Sequence, residues 1–218
     1  MKYLTSASLL SCDICNIENE IRRAENAGVD MIHFDAMDGR FVEQITFGSH
    51  VLKQIRKITN KTLDVHLMVE DPTDQIKLFA EAGADIITIH TESHCNIPEV
   101  LKSIRGYGKK ASAAIKPATP VETVYDLLEL CDMILVMTVE PGYGGQRFIP
   151  ETMMKIRALR KHLNDIGYGK RVNIEVDGGV NAATAAMAKD AGANIFVSGS
   201  ALFGSDDMKK ANELLKSI

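Results

Sequence analysis

The residues Ala27-Gly28-Val29-Asp30-Met31-Ile32-His33-Phe34-Asp35 introduce a pattern that occurs twice more along the chain. The related stretches are Ala82-Gly83-Ala84-Asp85 before Ile86–His90, and Ala191-Gly192-Ala193-Asn194 before Ile195–Ser198. In each stretch a helical pattern ends at a glycine, which suits the left-handed conformation at a helix C-terminus, and a short apolar run follows. The pattern predicts a helix, a tight turn and a buried strand.

The spacing of these glycines predicts the architecture. Gly28 and Gly83 lie 55 residues apart, and Gly83 and Gly192 lie 109 residues apart, which is almost twice as far. If 55 residues hold two strand–helix units, one unit takes about 27 residues, and a chain of 218 residues holds about eight units. Eight such units favour a closed (β/α)8 TIM barrel of parallel strands, an α/β fold that would occupy residues 1–218 as a single domain.

The remaining elements fit this arrangement. Further strands are predicted at Tyr3–Ser8, Leu63–Met68, Lys110–Ile115, Met133–Met137 and Val172–Val176, and helices at Ile17–Ala27, Val51–Ile58, Gln75–Ala82, Val121–Leu130, Met153–Leu163 and Met208–Leu215. The main competing fold is an open doubly wound sheet. That fold normally has a glycine-rich turn after its first strand, whereas residues 9–13 contain no glycine.

Composition excludes several functional classes. The chain is 45% hydrophobic and 25% charged, and its net charge of −4 without a basic block argues against binding of nucleic acid or an anionic membrane. No apolar run approaches the length needed to span a bilayer, so we expect a cytoplasmic protein. Cys12, Cys15, Cys95 and Cys131 are therefore expected to be reduced thiols, and the single pair Cys12 and Cys15 is weak support for a metal or redox site.

Ionisable residues near the ends of the predicted strands point to a catalytic site. His33, Asp35 and Met37 alternate along one strand and share a face, as do His66 and Met68 on the next. Asp177 and His90 end two further strands. These strand ends meet at one rim of a barrel, where such folds place their active sites.

The charges at this rim predict a metal ion. Burying the two carboxylates of Asp35 and Asp177 is costly unless a cation compensates them, and His33 and His66 add imidazole ligands. This ligand set suits one divalent metal, Zn²⁺ first, with Fe²⁺, Mn²⁺ or Co²⁺ also accepted. For His90 a ligand role and a purely structural role both stay open.

Three glycine loops form a second pattern. They are Gly142-Tyr143-Gly144-Gly145 after the sixth strand, Gly178-Gly179 after the seventh and Gly199-Ser200 after the eighth. Backbone N–H groups in such loops can surround a phosphate without a positively charged side chain, although each loop alone could be only a tight turn. Met37, Met68 and Met137 fall at strand ends and either fill the core or form an apolar wall beside the metal.

The chain resembles the ribulose-phosphate 3-epimerases of the ribulose-phosphate-binding barrels over nearly its whole length. The resemblance is carried by residues 6–10 (SASLL), 33–42 (HFDAMDGRFV), 64–69 (DVHLMV), 141–149 (PGYGGQRFI) and 176–180 (VDGGV). It implies an isomerase of the pentose phosphate pathway that interconverts D-ribulose 5-phosphate and D-xylulose 5-phosphate, and a homo-oligomer. It also implies that His33, Asp35, His66 and Asp177 bind the metal, with Asp35 as base and Asp177 as acid in the ribulose-to-xylulose direction. Ser8, His66 and the glycine loops would contact the sugar phosphate.

Parts of the sequence are also compatible with three different functions. Glu43-Gln44 and Glu140 depart from the family pattern in loops over the site, and residues 138–141 look somewhat like allulose-6-phosphate 3-epimerases. Lys116, at the end of the fifth strand, is compatible with a Schiff-base aldolase. A sugar-phosphate-binding module without catalysis is a third possibility.

Overall fold

Eight parallel strands close into a barrel in the computed structural model, which describes residues 2–217. The strands are β1 (Leu4–Ser8), β2 (Met31–Met37), β3 (Thr62–Met68), β4 (Ile86–His90), β5 (Lys110–Ile115), β6 (Met133–Met137), β7 (Asn173–Asp177) and β8 (Ile195–Ser198). Each strand pairs with the next, and β8 pairs back to β1 with Phe196 opposite Thr5. The predicted (β/α)8 barrel is confirmed, and the open doubly wound sheet is wrong.

Helices surround this barrel. They are α1 (Ile17–Asn26), α2 (Ser49–Ile58), α3 (Gln75–Ala82), α4 (Ile97–Gly106), α5 (Met153–Asp165), α6 (Ala182–Ala191), α7 (Ser200–Phe203) and α8 (Met208–Ser217). Gly83 and Gly192 end α3 and α6 with φ of +107° and +114°, the left-handed conformation that the repeated glycine pattern predicts. Each glycine turns the chain from a helix directly towards the next strand.

One predicted helix has a different form. Residues Val121–Leu127 form a 3₁₀-helix rather than an α-helix extending to Leu130. Its buried side chains Val121, Val124 and Leu127 are three residues apart, which matches the three-residue turn of a 3₁₀-helix. That spacing also occurs in α-helical patterns, so the sequence signal was ambiguous.

An apolar layer closes the amino-terminal end of the barrel. Met31, Ile86, Met133 and Ile195, one from each of β2, β4, β6 and β8, pack together and are at most 4% exposed. Contributions from alternate strands are the usual layer arrangement of this fold. The polar side chains of the barrel interior therefore lie above an apolar floor and below the opposite rim.

The structure also bears on two predictions, the absence of a membrane span and the state of the cysteines. Between residues 2 and 217, no helix combines the length and apolar character required to cross a membrane. All four cysteines are free thiols, with Cys131 buried and Cys15 exposed. None of them belongs to a cluster of metal-ligating side chains among the described residues, so the structure gives no support to a metal site at Cys12 and Cys15.

Candidate active site

Four side chains predicted to bind a metal converge at the carboxyl-terminal end of the barrel. They are His33 and Asp35 of β2, His66 of β3 and Asp177 of β7, and one ligand atom from each lies within 4.8 Å of the others. His33, Asp35 and His66 are buried, and the side chain of Asp177 is 17% exposed. The strands bring these residues together because parallel pairing places Asp35 opposite His66.

His33 is held with one ring nitrogen facing the cluster. Its Nδ1 lies 2.7 Å from Oδ2 of the buried Asp64, which also accepts a hydrogen bond from Ser6 Oγ. A carboxylate only accepts, so Nδ1 donates this hydrogen bond and Nε2 is the nitrogen left to face the cluster. That Nε2 lies 3.3 Å from Asp35 Oδ1 and 3.8 Å from Asp177 Oδ2.

His66 faces the same point from the next strand. Its Nδ1 lies 3.4 Å from Asp35 Oδ1 and 3.8 Å from Asp177 Oδ2. The other nitrogen, Nε2, lies 2.9 Å from Nε2 of His90. His90 thus contacts the predicted ligand His66 and does not join the four-residue cluster, which favours the structural role over the ligand role.

The four residues fit a divalent metal ion. Among the described residues, His33 Nε2 and His66 Nδ1 are buried atoms without a hydrogen-bond partner. Leaving two such atoms unsatisfied is costly, and both are aimed at the carboxylates of Asp35 and Asp177. Two imidazole nitrogens and two carboxylate oxygens are ligands that zinc and similar metals accept.

Electrostatics distinguish the two carboxylates. Burial opposes the charge of Asp35, but the neighbouring imidazoles of His33 and His66 outweigh it and hold the pKa of Asp35 well below its usual range. Burial, together with the charge of Asp35, raises the pKa of Asp177 to about 6. At neutral pH Asp35 is the stronger attractor of a cation, and Asp177 is the carboxyl that holds a proton more readily.

A cleft opens above these side chains. Asp35 and Asp177 contribute to its floor, and Met37, Met68 and Met137 to its wall. The predicted contact Ser8 also lines the cleft, and its Oγ donates a 2.7 Å hydrogen bond to Asp35 Oδ2. His66, predicted to touch both metal and substrate, lies deeper, outside the set of described residues that line the cleft.

The three glycine loops form the other side of the same cleft. The lining includes Gly142, Tyr143, Gly144, Gly145, Gly178, Gly179, Gly199 and Ser200. Glu140 also lines it, whereas the hydroxyl of Tyr143 donates a 3.0 Å hydrogen bond to Glu43 on the exposed side of the loop. The cleft therefore joins the carboxyls of Asp35 and Asp177, predicted as the acid/base groups, to the backbone groups predicted to bind phosphate.

Comparison with known proteins identifies the family. The family model for the ribulose-phosphate 3 epimerase family matches residues 4–203. The chain belongs to this family. A curated ribulose-phosphate 3-epimerase from Bacillus subtilis (strain 168) is 43% identical over 204 residues, covering 94% of each chain. Another from Synechocystis sp. is 44% identical over 210 residues, covering 95% of this chain and 90% of the relative.

A solved structure outside the epimerase family supports the fold. The crystal structure of 3-keto-L-gulonate-6-phosphate decarboxylase from Vibrio cholerae aligns with a TM-score of 0.71 at 16% identity, covering 100% of this chain and 97% of the other. At that identity the likeness concerns the barrel alone. The resemblance to ribulose-phosphate 3-epimerases predicted from the sequence is confirmed by the family match and the curated relatives.

Sequence reasoning missed several buried residues of this epimerase-family site. Asp64 contacts His33, and Glu175 lies fully buried on β7 two positions before Asp177. Burial and the neighbouring carboxylate of Asp64 raise the pKa of Glu175 well above its usual value. The two-residue alternation that places His66 and Asp177 inward applies equally to Asp64 and Glu175, so the signal was present in the sequence.

Gly179 offers a test of the loop geometry in this epimerase-family chain. It has φ of +64°, and an added Cβ would lie 2.7 Å from the backbone nitrogen of Phe148. Because the left-handed backbone alone costs about 1–2 kcal/mol for a residue with a Cβ, we expect Gly179→Ala to lower the free energy of unfolding by about 2–3 kcal/mol. The KM for the sugar phosphate should rise as well. Chemical denaturation and initial-rate kinetics measure these effects.

The control for this prediction is Gly106→Ala. Gly106 is the last residue of α4, and an added Cβ there meets no atom within 4 Å. The free energy of unfolding should stay unchanged or rise slightly, since alanine favours a helix more than glycine does. Equal stability of the two variants would contradict the close approach of Gly179 to Phe148.

Proposed function

We propose that this chain interconverts D-ribulose 5-phosphate and D-xylulose 5-phosphate by inverting C3, with Asp35 and Asp177 as the two acid/base groups. The observation that carries the proposal is the placement of these carboxyls on the floor of a cleft whose opposite wall is built from glycine loops. Inversion beside a ketone needs one group to remove a proton and another to return one. Family membership supports this reaction class.

The proton transfers follow from the charges of the two carboxyls. In the ribulose-to-xylulose direction Asp35, the more acidic group, accepts the C3 proton as its carboxylate. Asp177, whose pKa is about 6, supplies a proton to the opposite face of C3. Ser8 Oγ holds Asp35 Oδ2 at 2.7 Å and orients the carboxylate. The roles exchange in the reverse direction, and between the two steps the substrate is an enediolate.

The metal would be held by His33, Asp35, His66 and Asp177. When bound, a divalent cation supplies Lewis-acid stabilisation of the negative charge that develops on the substrate oxygens. The donor set of two imidazoles and two carboxylates supports Zn²⁺ as the resident ion, and it also accepts Fe²⁺, Mn²⁺ or Co²⁺. The buried Met37, Met68 and Met137 limit the access of water to the reacting carbon.

The phosphate end of the substrate is assigned to the glycine loops. Gly178 and Gly179, which line the cleft, have φ of +113° and +64°, and such turns allow successive backbone N–H groups to form an anion-binding concavity. They are followed by α6, whose amino terminus is capped by Asn181. The partial positive charge of a helix amino terminus favours a nearby anion. Backbone groups can therefore bind the phosphate in a chain with net charge −4.

A direct comparison of two substrates tests the proposed reaction. The protein is assayed with ribulose 5-phosphate and with allulose 6-phosphate under the same conditions, with zinc content measured in the same preparation. We expect a higher kcat/KM for ribulose 5-phosphate. The reverse preference would contradict the pentulose assignment and support a hexulose-phosphate epimerase. Glu43 and Glu140 are the residues that suggest this alternative, and the curated relatives do not favour it.

An aldolase and a non-catalytic binding module receive less support. Nζ of Lys116 lies 3.9 Å from the centre of the Phe41 ring, and Lys116 is not among the described residues that line the cleft. An aldolase using this amine would require it to reach the substrate. A binding module without catalysis would not require the paired carboxyls of Asp35 and Asp177, and incorporation of solvent deuterium at C3 would exclude it.

We also propose that the protein is a homo-oligomer and that it works in the cytoplasm. The family resemblance suggests a homo-oligomer, and the exposed apolar side chains of Ile45 and Met154 offer surface for self-association. Light scattering on the purified chain measures its mass. The free thiols support the cytoplasm as the compartment, because cysteines stay reduced there.

A further inference from the structure

We propose that Glu92 is a positioning residue for the metal site, acting through His90 to fix which nitrogen of His66 carries the lone pair. The proposal rests on the metal ligands given under the proposed function. The chain of contacts runs from Glu92 Oε2 to His90 Nδ1, over 3.0 Å, and from His90 Nε2 to His66 Nε2, over 2.9 Å. His66 Nδ1 then faces the other proposed metal ligands, His33, Asp35 and Asp177.

Both oxygens of the Glu92 carboxylate have hydrogen-bond partners. Oε1 accepts hydrogen bonds from the backbone N–H of Lys116, at 2.8 Å, and from the hydroxyl of Thr119. Oε2 faces His90. Burial opposes its charge, but the hydrogen bonds from His90, Thr119 and Lys116 outweigh burial and lower the pKa of Glu92 to about 2. The ionised carboxylate only accepts hydrogen bonds, so His90 Nδ1 must donate.

The hydrogen bond from His90 Nδ1 to Glu92 determines which ring nitrogens of His90 and His66 carry protons. A neutral imidazole has one N–H, so protonation of His90 at Nδ1 leaves Nε2 as an acceptor. The nitrogen that faces it, Nε2 of His66, must then donate. His66 consequently has its lone pair on Nδ1, which is the buried nitrogen without a hydrogen-bond partner among the described residues. A metal ligand needs this lone pair.

The opposite arrangement would remove the metal-binding lone pair of His66 and would be unfavourable at Glu92. If His66 carried its proton on Nδ1, that N–H would point at the metal position, 3.4 Å from Asp35 Oδ1. His90 would then donate from Nε2 and present a lone pair on Nδ1 to the Glu92 carboxylate. Two acceptors would face each other at 3.0 Å. Only the arrangement in which Glu92 accepts gives a donor opposite an acceptor at both contacts of His90, and it also leaves the lone pair of His66 Nδ1 for a metal.

The surroundings isolate this chain of contacts from water. His90 and His66 are both 0% exposed. The Phe41 ring lies against His90 with a distance of 4.7 Å between ring centres, and the Lys116 amine lies over Phe41. Because water does not reach the imidazoles, the proton positions depend on Glu92 rather than on exchangeable solvent partners.

Zinc affinity of the whole protein tests the proposal. The apoprotein is titrated with Zn²⁺ alone against a chromogenic chelator, for the native sequence and for Glu92→Gln. The glutamine side chain has one acceptor oxygen, so it cannot accept hydrogen bonds from both His90 and Lys116. Its NH₂ group must then face an N–H of one of these two residues. We expect Kd for zinc to rise about 10–100-fold. In the Co²⁺-loaded variant the visible absorption bands should change in position or intensity, which a general loss of packing would not produce.

Glu70→Gln is the matched control. Glu70 Oε1 lies 3.7 Å from Nδ1 of the exposed His94, so the substitution removes a histidine–carboxylate pair at the same rim that is not connected to His66. Zinc affinity should stay within about twofold of the native value, as expected for an exposed pair of this kind.

A second pair of variants keeps the proposal falsifiable if Glu92→Gln fails to fold. His90→Gln retains an amide oxygen that can accept from His66 Nε2, whereas His90→Phe removes the acceptor. We expect zinc affinity to be largely retained in the first and lost by about 10–100-fold in the second. Native zinc affinity in Glu92→Gln, or equal affinities in the two His90 variants, would overturn the positioning role. A native protein that binds no zinc would overturn the metal ligands as well, and the substrate assay tests the epimerase reaction separately.

Discussion

We expect Asp177→Asn and Asp35→Asn each to lower kcat/KM for ribulose 5-phosphate by about 10²–10⁴-fold, the contribution of one acid/base group. The amide of asparagine has the shape of the carboxyl but neither accepts nor supplies a proton at neutral pH. The two variants should differ in hydrogen exchange at C3. Asp177→Asn keeps Asp35, the proposed base, and should still remove the C3 proton of ribulose 5-phosphate, whereas Asp35→Asn should not. Steady-state kinetics and loss of a C3 deuterium label measure the two effects.

The matched control is Asp190→Asn, an exposed carboxylate on α6 outside the cleft. Its kcat/KM should equal the native value. Metal content is measured for each variant, because Asp35 and Asp177 are also proposed ligands. Native activity in a folded, metal-loaded Asp35→Asn or Asp177→Asn protein would contradict the two-base mechanism. Equal label loss in both would contradict the assignment of Asp35 as the base for this direction.

Metal removal should reduce both activity and thermal stability. After dialysis against a chelator we expect activity to fall at least about 100-fold, since the charge that stabilises the developing oxyanion is lost. An ion present at about 100 times its Kd stabilises the native state by about 2.7 kcal/mol, which corresponds to a Tm about 5–10 °C higher for a chain of this size. Calorimetry before and after dialysis measures the difference.

Restoration by different ions separates specific binding from ionic strength. Zn²⁺, Mn²⁺ or Co²⁺ should restore activity and Tm, whereas Mg²⁺ should restore little, because it prefers oxygen ligands over the imidazoles of His33 and His66. A chelated protein with native activity and a native Tm would contradict the metal site. Equal restoration by Mg²⁺ would contradict the role of the two histidines as ligands.

The main features of the fold could be predicted from the sequence because they depend on local chemistry. Gly83 and Gly192 mark helix ends, and the apolar runs that follow them mark strands, so the repeat length alone indicates an eight-stranded barrel. The 3₁₀-helix at Val121–Leu127 could not be distinguished in this way. Apolar residues at a spacing of three suit both helix types, and the choice depends on packing against the barrel.

Part of the site could be predicted for a similar reason. His33, Asp35, His66 and Asp177 are ionisable residues in strands that are otherwise apolar, and alternation fixes the face on which they lie. Alternation places Asp64 on the inward face without identifying its partner, and it does not extend to Glu92, which lies beyond the end of β4. Their roles depend on single hydrogen bonds of 2.7 and 3.0 Å to His33 and His90, and such distances require coordinates.

The apolar layer of Met31, Ile86, Met133 and Ile195 closes one end of the barrel interior, and the proposed metal ligands lie between this layer and the cleft at the opposite rim. A metal ion bound by the proposed ligands above it has no exit through the floor, so it enters and leaves through the cleft that the sugar phosphate occupies. Substrate in that cleft would obstruct the departure of the ion. We therefore expect the metal to exchange with competing chelators more slowly when substrate is bound than when the cleft is empty.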